Sequence, residues 1–529
     1  MRVVTSEIMR RIDRIAIDEM VIPGIELMHN AGEAVSRIAA KYFEELSIGG
    51  YIGIFTGPGN NGGDGWVTAR LLKNRAFEVR VFSTVDPQTL AGDAALAYEE
   101  ARDSGVSFEI CRSEVPPLDC MGLAIDALLG TGAKGRPKGV IADFVRALSI
   151  SGLPIIAVDN PTGADSDSGA VEELAVPAVA TVTFGLPKLG QFIYPAREFV
   201  GRLFVADIGI PEAAAEKGLG DFDLRIDRPI ELKSMLPMRP SDGHKGVFGN
   251  VAVIAGSSGM TGAALLSAEG ALRSGVGLVE TIVPEGLTDI VDLGLKESVV
   301  RGVPQVARRR CFSTRALGDI LRLVSGADSI ALGPGIGTHR ETVDLTARLM
   351  PKLSKPTVLD ADGLNCIANL RHREIAVRFG DSVIMTPHPG ELARLLNTPI
   401  DVILCNRFNN MQLWANELGA EVLILKGSPT TISSPDGPIY INISGNDGMA
   451  TGGCGDILTG LIAGLLAQGL SPLDASRLGV YIHGLAGDLA EKRLGRRGMI
   501  AGDIVASIPE AFTTLENFEQ GAVNSLIVI

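Results

Sequence analysis

The sequence predicts an α/β protein of two domains, and three observations lead to this prediction. The chain has 529 residues, which exceeds the usual size of a single hydrophobic core. Short β-rich segments alternate with helical patterns along most of its length, and this order is typical of parallel strands joined by crossover helices. The 64 glycines follow no three-residue period and suit tight turns between strands and helices.

The charge and the cysteines limit the expected partners and compartment. A formal net charge of -14 repels nucleic acid and anionic lipid at long range, so we expect neither nucleic acid nor a membrane as a partner. The six cysteines show no CxxC spacing, which favours reduced thiols in a cytoplasmic protein over a disulfide framework or a zinc site. We expect no signal peptide, because the opening residues lack an apolar core.

The first predicted domain covers residues 1–225. Residues 1–30 carry apolar side chains near helical spacing, so we expect an amphipathic helix there. The boundary is placed near residue 225, because the segment 227–246 combines three prolines with mixed charge. Six β-rich segments predict the strands of this domain: 51–55, 78–82, 123–126, 155–158, 180–184 and 203–206.

The second predicted domain covers residues 226–529 and does not repeat the first. It ends in a helix-rich part from about residue 456, and its apolar segment 457–470 is too short to span a membrane and predicts a buried helix. Seven segments predict its strands: 250–254, 278–282, 329–332, 357–359, 383–385, 422–425 and 439–441.

A glycine-rich loop, GPGNNGGDG, follows the first predicted strand. Gly57, Gly59 and Gly62 match the G-x-G-x-x-G fingerprint of dinucleotide-binding loops. Asp86 follows at about the spacing of the fingerprint's acidic residue, so an NAD-dependent dehydrogenase is one interpretation. The dense glycines should instead delay the helix until about Trp66 and leave N–H groups and side-chain oxygens free. Such a loop favours phosphate binding together with a hard cation.

Two further predicted strands end in polar residues. Asp126 closes one strand and precedes a second glycine loop, and Asp159 and Thr162 follow the next. The carboxyl ends of strands in an open parallel sheet meet in one crevice, so we expect these side chains to lie near Asn61. The alternative is that Asp126 or Asp159 caps the following helix, and for either residue alone the two interpretations carry equal weight. Three such strand ends together favour function.

In combination, these motifs resemble the NAD(P)H-hydrate epimerase domain over about residues 1–215. The resemblance rests on GPGNNGGDG, DALLGTG, DNPTG and the opening segment RIDRIAIDEMVIPGIELMHNAG. It implies a Rossmann-like three-layer sandwich as the fold. It also implies that the domain interconverts the two configurations of the hydroxyl at C6 of hydrated NADH or NADPH. Thr162 and Asn160 stand where the family more often has serine and an aliphatic residue, and His29 stands where glutamate is usual. Threonine keeps the hydroxyl that a cation site requires.

The resemblance also implies roles for particular residues. Asp159 would contact the hydrated ring and, as a positioned carboxylate, act as acid or base. A potassium ion is expected on Asn61, Asp126 and Thr162. The rest of the substrate is expected on two loops, Asn60, Asn61, Gly62, Gly63 and Asp64 in the first and Gly130, Thr131, Gly132, Ala133, Lys134, Gly135 and Arg136 in the second.

The clearest feature of the second half is the stretch TGGCGD, in which three glycines lead into a helix expected to begin near Asp456. Free N–H groups at a helix N-terminus form an anion site for a phosphoryl group, and an aspartate at its mouth can take a proton from an attacking hydroxyl. No G-x-x-x-x-G-K-[ST] occurs, so a P-loop is not predicted. Asp456 as a plain N-cap is the alternative, which the glycines disfavour because they would weaken a structural turn.

The second half resembles the ribokinase-like superfamily, and most closely its ADP- or ATP-dependent NAD(P)H-hydrate dehydratase branch, over about residues 235–515. The resemblance rests on KGVFGNV, LGPGIG, DADGLN, TPHPGE and TGGCGDILTG. It implies a ribokinase-like three-layer sandwich in which ADP phosphorylates the C6 hydroxyl with Asp456 as base. Loss of phosphate then restores NADH or NADPH, with AMP as the other product. Magnesium is implied with the nucleotide, and potassium by the family.

Residue roles follow from this second resemblance as well. Ala263, Gly335, His388 and Asp456 would contact the hydrate. Cys454 stands where serine is usual and has no identifiable histidine partner, so we do not expect a nucleophile. ADP is preferred to ATP, because fused two-domain chains of this kind look bacterial or archaeal. The nucleotide is expected on Lys426, Gly427, Ser428, Pro429, Thr430, Asn446, Thr451, Gly452, Gly453, Cys454 and Gly455.

Structural interpretations and rival functions remain beside these expectations. His388 could cap a helix, Asp360 and Asp362 could order a turn, and His483 is expected in the core. A ribokinase-like small-molecule kinase fused to a nucleotide-binding module would leave a stable phosphate ester. A nucleotide-sensing module would bind ADP without turnover. Open sheet edges favour a homo-oligomer, and the sequence does not separate the NADH hydrate from the NADPH hydrate.

Overall fold

The computed structural model describes residues 1–47, 49–380, 382–519 and 526–528 and divides into two compact units. The N-terminal unit comprises residues 2–223 together with 526–528. The C-terminal unit comprises residue 1 together with 224–519. The change at residue 223 lies beside the boundary expected near 225, whereas the last strand differs from the expected single domain of residues 226–529. That strand returns to the N-terminal unit because it pairs with a strand there.

The N-terminal unit is built on a mainly parallel sheet whose central strands are buried. The strands of this sheet are β2 Tyr51–Thr56, β3 Val79–Ser83, β4 Ser107–Ile110, β5 Met121–Ala127, β6 Ile155–Val158, β7 Ala180–Phe184 and β8 Arg202–Ala206, and the short strand β1 Arg2–Val3 is not part of it. The sheet has eight strands in the order β19-β8-β7-β6-β5-β2-β3-β4, where β19 is Leu526–Val528. Strands β2 to β8 are parallel, and β19 is antiparallel to β8.

Helices cover both faces of this sheet. They are α1 Ser6–Arg14, α2 Gly24–Glu45, α3 Asn60–Asn74, α4 Asp93–Asp103, α5 Gly139–Ile150, α6 Arg197–Val200 and α7 Glu212–Leu219. Residues of α2, α3 and α4 share one core with Ile52, Ile54 and Ile125, and residues of α5 share another with Phe55 and Ala124. Alternate residues of a strand face opposite sides, so the unit has three layers.

The C-terminal unit is also built on a mainly parallel sheet. Its strands are β9 Leu224–Ile226, β10 Asn250–Ile254, β11 Leu278–Pro284, β12 Val299–Val303, β13 Ser329–Leu332, β14 Thr357–Leu359, β15 Val383–Met385, β16 Val422–Leu425, β17 Thr430–Ser433 and β18 Ile439–Asn442. They run in the order β9-β18-β17-β16-β15-β14-β13-β10-β11-β12. The pairs β16–β17 and β17–β18 are antiparallel, and the other neighbours are parallel.

The helices of the C-terminal unit are α8 Pro229–Lys233, α9 Thr261–Arg273, α10 Thr288–Gly294, α11 Leu317–Val324, α12 Arg340–Leu349, α13 Asp362–His372, α14 Pro389–Leu396, α15 Ile400–Asn406, α16 Met411–Leu418, α17 Cys454–Ala467, α18 Pro472–Leu494 and α19 Ala501–Glu516. Helices α9, α17 and α19 share a core with Val251, Val253 and Val358. Ile330 and Leu332 on the opposite face are buried too, so this sheet also lies between two layers. None of the helices described is long and apolar enough to cross a membrane.

Local departures from the predicted elements have simple causes. The helix expected over residues 1–30 is two helices, because Pro23 caps the start of α2 and cannot continue α1. The strands β4 and β12 were not predicted, and both lie at sheet edges, where β4 is exposed throughout and buried runs are not required. Residues 430–433 lie outside the predicted strands and form β17, which pairs antiparallel with β16.

Candidate active sites

The glycine-rich loop of the N-terminal unit is a close contact between a helix and the sheet. Helix α3 begins at Asn60, with Gly59 as an N-cap that provides no side-chain hydrogen bond. The expectation that the helix starts near Trp66 was therefore wrong. Glycine is required before and within the first turn of α3 because a side chain would not fit. A Cβ at Gly57 would lie 1.8 Å from the Leu128 carbonyl oxygen, and a Cβ at Gly62 would lie 2.1 Å from the Gly57 carbonyl oxygen. The first N–H groups of α3 are left without a side-chain cap.

The residues expected to hold a cation come together at the end of β5. Thr162 Oγ1 donates to Asp126 Oδ1 at 2.7 Å, and Thr162 N donates to Oδ2 at 2.8 Å. Leu129 N donates to Thr162 Oγ1 at 3.0 Å, and a Cβ at the next residue, Gly130, would lie 3.1 Å from Asn61 Oδ1. Burial raises the pKa of Asp126 to about 6, although the Thr162 hydrogen bonds oppose the rise. Asp126 caps no helix, so that structural alternative is wrong.

Asp159 is held in an unusual backbone conformation at the end of β6. Its φ of 62° lies in the left-handed region, which is rare for a residue other than glycine. Its Oδ1 accepts hydrogen bonds from Lys188 Nζ at 2.7 Å and from Thr183 Oγ1 at 3.0 Å. The side chain caps no helix either, and strained residues of this kind cluster at functional sites.

Two more carboxyl groups act electrostatically on the same place. Burial raises the pKa of Asp64 well above its ordinary value, and the charges of Asp159 and Asp13 add to the rise. Burial also raises the pKa of Asp13 to about 6, where Lys188 opposes the rise and Asp159 adds to it. Asp64 belongs to the first predicted loop. Sequence reasoning missed Asp13 and Lys188, because neither lies in a motif.

The second predicted loop, 130–136, faces the segment that follows β6. A cavity of about 110 Å³ is lined by Gly130, Ala133 and Gly135 from this loop and by Thr162 from the other side. Lys134 Nζ lies 3.6 Å from Asp167 Oδ2, and its side chain is otherwise exposed. The loop therefore borders the Asp126–Thr162 site. A Cβ at Gly132 would have no atom within 4 Å, so no close packing explains this glycine.

The centre of the C-terminal unit is a buried ion pair between two strand ends. Lys426 Nζ, after β16, donates to Asp360 Oδ1 at 2.6 Å, and Thr459 Oγ1 donates to Asp360 Oδ2 at 2.7 Å. Burial alone would lower the pKa of Lys426, but the carboxylates of Asp360 and Glu391 raise it overall. Asp360 is 1% exposed. The pair thus fixes the Lys426 ammonium beside Gly455, whose Cβ would lie 3.2 Å from Nζ.

Helix α17 points an uncapped N-terminus at this lysine. It begins at Cys454, and its N-cap is Gly453, with a φ of 97° and no side-chain hydrogen bond. Asp456 is therefore the third residue of the helix, and the N-cap alternative for it is wrong. Burial raises the pKa of Asp456 to about 7, and the charge of Asp360 adds to the rise. Free N–H groups, a cation and a carboxylate near half-ionisation at neutral pH meet here.

His388 and Asp362 both show the structural roles that were kept as alternatives. His388 Nδ1 accepts from Gly390 N at 3.0 Å, and Glu391 Oε2 accepts from His388 N at 2.8 Å, which is a capping box for α14. Its side chain is 50% exposed, so the ring can also meet a ligand. Asp362 Oδ2 accepts from Gly337 N at 2.9 Å and so orders the LGPGIG loop.

Two residues outside the predicted motifs hold the predicted nucleotide-binding segments by hydrogen bonds. Asp488 accepts from Gly445 N and from Asn446 Nδ2, each at 2.9 Å. Arg407 is buried and donates to the Pro429 carbonyl oxygen, which holds the segment 427–430. Burial lowers the pKa of Arg407 to about 10. Sequence reasoning missed both residues, because a lone charged residue on a helix resembles a surface residue.

Two predictions about reactive side chains are supported. His483 is buried, 8% exposed, and burial lowers its pKa to about 4, as suits a core residue. Burial raises the pKa of the Cys454 thiol, so the thiol stays protonated and is a poor nucleophile. All six cysteines, each within the described ranges, are free thiols.

Ala263 and Gly335 lie beside each other. A Cβ at Gly335 would lie 2.9 Å from the Ala263 Cβ, so the two expected hydrate contacts are neighbours. Gly335 has a φ of 64°, and its carbonyl oxygen accepts from Ser257 Oγ at 2.7 Å.

Buried carboxylates beside glycine-rich backbone in each of the two units indicate a two-domain α/β enzyme. Residues 251–510 match the NAD(P)H-hydrate dehydratase family, and residues 24–190 match the family described as YjeF-related protein N-terminus. The chain belongs to the family of bifunctional NAD(P)H-hydrate repair enzymes. It is 40% identical over 525 residues to the bifunctional NAD(P)H-hydrate repair enzyme Nnr of Moorella thermoacetica, covering 98% of this chain and 97% of that relative.

Other similar proteins carry the same description. The repair enzyme Nnr of Thermofilum pendens is 36% identical over 98% of each chain. A solved structure of ADP/ATP-dependent NAD(P)H-hydrate dehydratase from Bacillus subtilis, co-crystallised with ATP/Mg²⁺, is 29% identical, covers 55% of this chain and 98% of that chain, and has a TM-score of 0.48. The predicted family is confirmed, and with it an isomerase joined to a lyase. The dehydrogenase, kinase and sensor alternatives are set aside.

Proposed function

We propose that the N-terminal unit interconverts the R and S hydrates of NADH and NADPH, and that the C-terminal unit dehydrates the S hydrate with ADP as phosphoryl donor. One observation supports this most strongly: each unit has an aspartate suited to proton transfer, Asp159 directly after β6 and Asp456 in the first turn of α17. Asp159 is fixed by Lys188, and burial brings the pKa of Asp456 to about 7. Both reactions begin or end with a proton on the C6 hydroxyl of the same ligand.

Inversion at C6 requires that the hydroxyl leave one face of the ring and that water return to the other. A proton from a neutral carboxylic acid lets the C6–O bond break with water as leaving group, while the ring nitrogen supplies the electron pair for a C6=N bond. Water that adds to the opposite face gives its proton to a carboxylate. Asp64 suits the acid role, because burial raises its pKa well above the ordinary value, and Asp159 suits the base role.

Dehydration requires a better leaving group than hydroxide. Asp456 takes the proton of the C6 hydroxyl as the hydroxyl oxygen attacks the β-phosphorus of ADP, and AMP leaves. The C6–O bond then breaks with phosphate as leaving group, and loss of a ring proton restores NADH or NADPH. The N–H groups of α17 and the Lys426 ammonium stabilise the transferring phosphoryl group.

The residues at the end of β5 fit a potassium ion. Asp126 is 0% exposed, and no cationic side chain in the described ranges pairs with it. The Asn61 amide nitrogen is buried without a hydrogen-bond partner, and exchanging the amide positions would present an oxygen to the same space. An uncompensated buried carboxylate beside hydroxyl and amide groups suits a monovalent cation. A bound ion would supply positive charge there and order the loop of Gly130.

The nucleotide and its metal would meet the C-terminal crevice. We expect the nucleotide on segments 427–430 and 446–455, which Arg407 and Asp488 support by hydrogen bonds. Magnesium usually takes one or two protein carboxylates besides the phosphates, and the half-buried Asp362 after β14 suits that role. Magnesium would add charge neutralisation at the phosphates. A cytoplasmic location and self-association stay predictions from the sequence.

The test is incubation of the full chain with mixed R and S hydrate, ADP and Mg²⁺. Recovery of NADH is followed by its absorbance, and AMP and phosphate are counted. We expect complete consumption of both hydrates, with one phosphate released for each NADH. Consumption that stops when the S hydrate is gone would contradict the epimerase proposal, and a stable phosphate ester without NADH would contradict the dehydratase proposal.

A further inference from the structure

Lys188 belongs to no motif, yet it is a fully buried cation of the N-terminal unit, 1% exposed. Its Nζ donates to Asp159 Oδ1 at 2.7 Å, Thr183 Oγ1 at 2.9 Å and the Phe184 carbonyl oxygen at 3.0 Å. A lysine ammonium has three N–H donors, so all of them are used within the protein. Lys188 therefore acts on Asp159 and not on a ligand.

The two oxygens of Asp159 have different surroundings. Oδ1 is held by Lys188 and Thr183, and the backbone carbonyl accepts from Gln191 Nε2 at 2.8 Å. Oδ2 accepts no hydrogen bond from any residue the structure describes. The side chain is 13% exposed, so this oxygen can meet a ligand in the crevice. One oxygen is thus fixed and the other is left to exchange a proton.

Asp13 reaches the same place because α1 is tied to the Lys188 segment. Val4 N donates to the Pro187 carbonyl oxygen at 3.0 Å, and Leu189 N donates to that of Val4 at 2.9 Å. Thr5 Oγ1 then caps α1 by accepting from Ile8 N at 3.3 Å. The helix runs from this anchor and carries Asp13 to where its charge interacts with Lys188 and Asp159.

Four charged or titratable groups from four elements face one another here. They are Asp13 of α1, Asp64 of α3, Asp159 after β6 and Lys188 before the turn Leu189–Phe192. Lys188 is the cation that meets Asp159 in this group, and without it Oδ1 would keep only the hydrogen bond from Thr183.

We propose that Lys188 is a positioning residue of the epimerase site. This rests on the proposed epimerase function. Lys188 and Thr183 hold Oδ1 of Asp159, so that Oδ2 is turned toward the ligand and meets the incoming water.

The first test is Lys188→Met in the full chain, with Lys41→Met, an exposed lysine of α2, as the matched control. We expect kcat of epimerisation to fall about 100-fold, with KM within about threefold, because a misplaced base loses its part of general acid–base catalysis. Dehydratase activity of the same preparation, and that of Lys41→Met, should be unchanged.

A second test holds even where Lys188→Met does not fold. Thr183→Val removes the other hydrogen bond to Asp159 Oδ1 and one acceptor of Lys188, so kcat should fall about tenfold at constant KM, and Thr183→Ser should restore most of it because serine keeps the hydroxyl. Full kcat in folded Lys188→Met or in Thr183→Val would overturn the inference. An unaltered chain that does not epimerise the hydrates would instead overturn the proposed function.

Discussion

Asp456→Asn isolates the base of the dehydratase while leaving the shape of the crevice. The carboxylate is replaced by an amide of equal size at the third position of α17, so the open N–H groups and the Lys426–Asp360 pair remain. General base catalysis contributes about 10²–10⁴-fold, so we expect kcat of dehydration to fall about 10³-fold. ADP affinity should change by less than about threefold, because the amide keeps the contacts that bind phosphate.

The same substitution has a predicted effect on stability. A rise in pKa from 3.8 to about 7 corresponds to at most about 4 kcal/mol against ionising Asp456 in the folded unit. Because the pKa of Asp456 is raised in the folded state, the stability that the protonated carboxyl gives is fully present below pH 3.8. This stability is lost as the pH rises to about 7 and the carboxyl must ionise. Asparagine cannot ionise, so the variant should melt at a higher temperature than the unaltered chain at pH 8, with a smaller gain at pH 6.

The assay compares three chains: unaltered, Asp456→Asn and Asp319→Asn. Asp319 is an exposed carboxylate on α11 that pairs with Arg322, so its change controls for the substitution itself. The dehydration rate at saturating ADP is followed from pH 5.5 to pH 8.5 by NADH absorbance. The dehydration rates of the unaltered chain and of the control should rise through about pH 7, as the base ionises. The dehydration rate of Asp456→Asn should be low at every pH. Epimerisation should be equal in all three.

Two results would refute this reasoning. Asp456→Asn that keeps dehydration within tenfold of the unaltered chain would show that another group takes the proton. A loss of ADP binding together with turnover would show that Asp456 shapes the nucleotide site instead.

Three shorter predictions follow from the contacts. Potassium at about 100 mM should raise the melting temperature of the N-terminal unit and its epimerase rate. Asp126→Asn should abolish both effects in thermal unfolding and rate assays, because the buried carboxylate is the charge that the ion balances. An unchanged potassium response in this variant would count against the site. Cys454→Ser should keep dehydratase kcat within about threefold, since the protonated thiol takes no part, and a loss above tenfold would mean that it does. Gly57→Ala should abolish epimerisation but not dehydration, because its Cβ would lie 1.8 Å from the Leu128 carbonyl oxygen; retention of both activities would contradict that steric reasoning.

The strand ends and their polar residues were predictable because parallel sheets leave a regular pattern. Thirteen predicted strands coincide with β-strands within a few residues, since buried strands read as short apolar runs between glycine turns. The topology rule then placed Asn61, Asp126 and Thr162 in one crevice from three distant segments. Local patterns and one general rule were enough for the positions that motifs occupy.

What could not be predicted depends on contacts between distant residues. The start of α3 was misplaced because glycine reads as a helix breaker, whereas here it lets the helix approach the sheet, as a Cβ at Gly65 would lie 2.8 Å from Ala127 Cβ. Lys188 looks like a surface residue until the fold buries it beside Asp159. The final strand β19 carries no sign in its sequence that it joins the N-terminal unit.

We propose that each unit moves protons on the same hydrated ligand with its own aspartate. The most direct measurement is the NADH recovered from a known mixture of R and S hydrate by Asp159→Asn in the full chain, with ADP and Mg²⁺ present. We predict that recovery stops at the amount of S hydrate supplied, apart from slow uncatalysed exchange, and that adding unaltered N-terminal activity completes it. Recovery of both hydrates at the unaltered rate would contradict the claim.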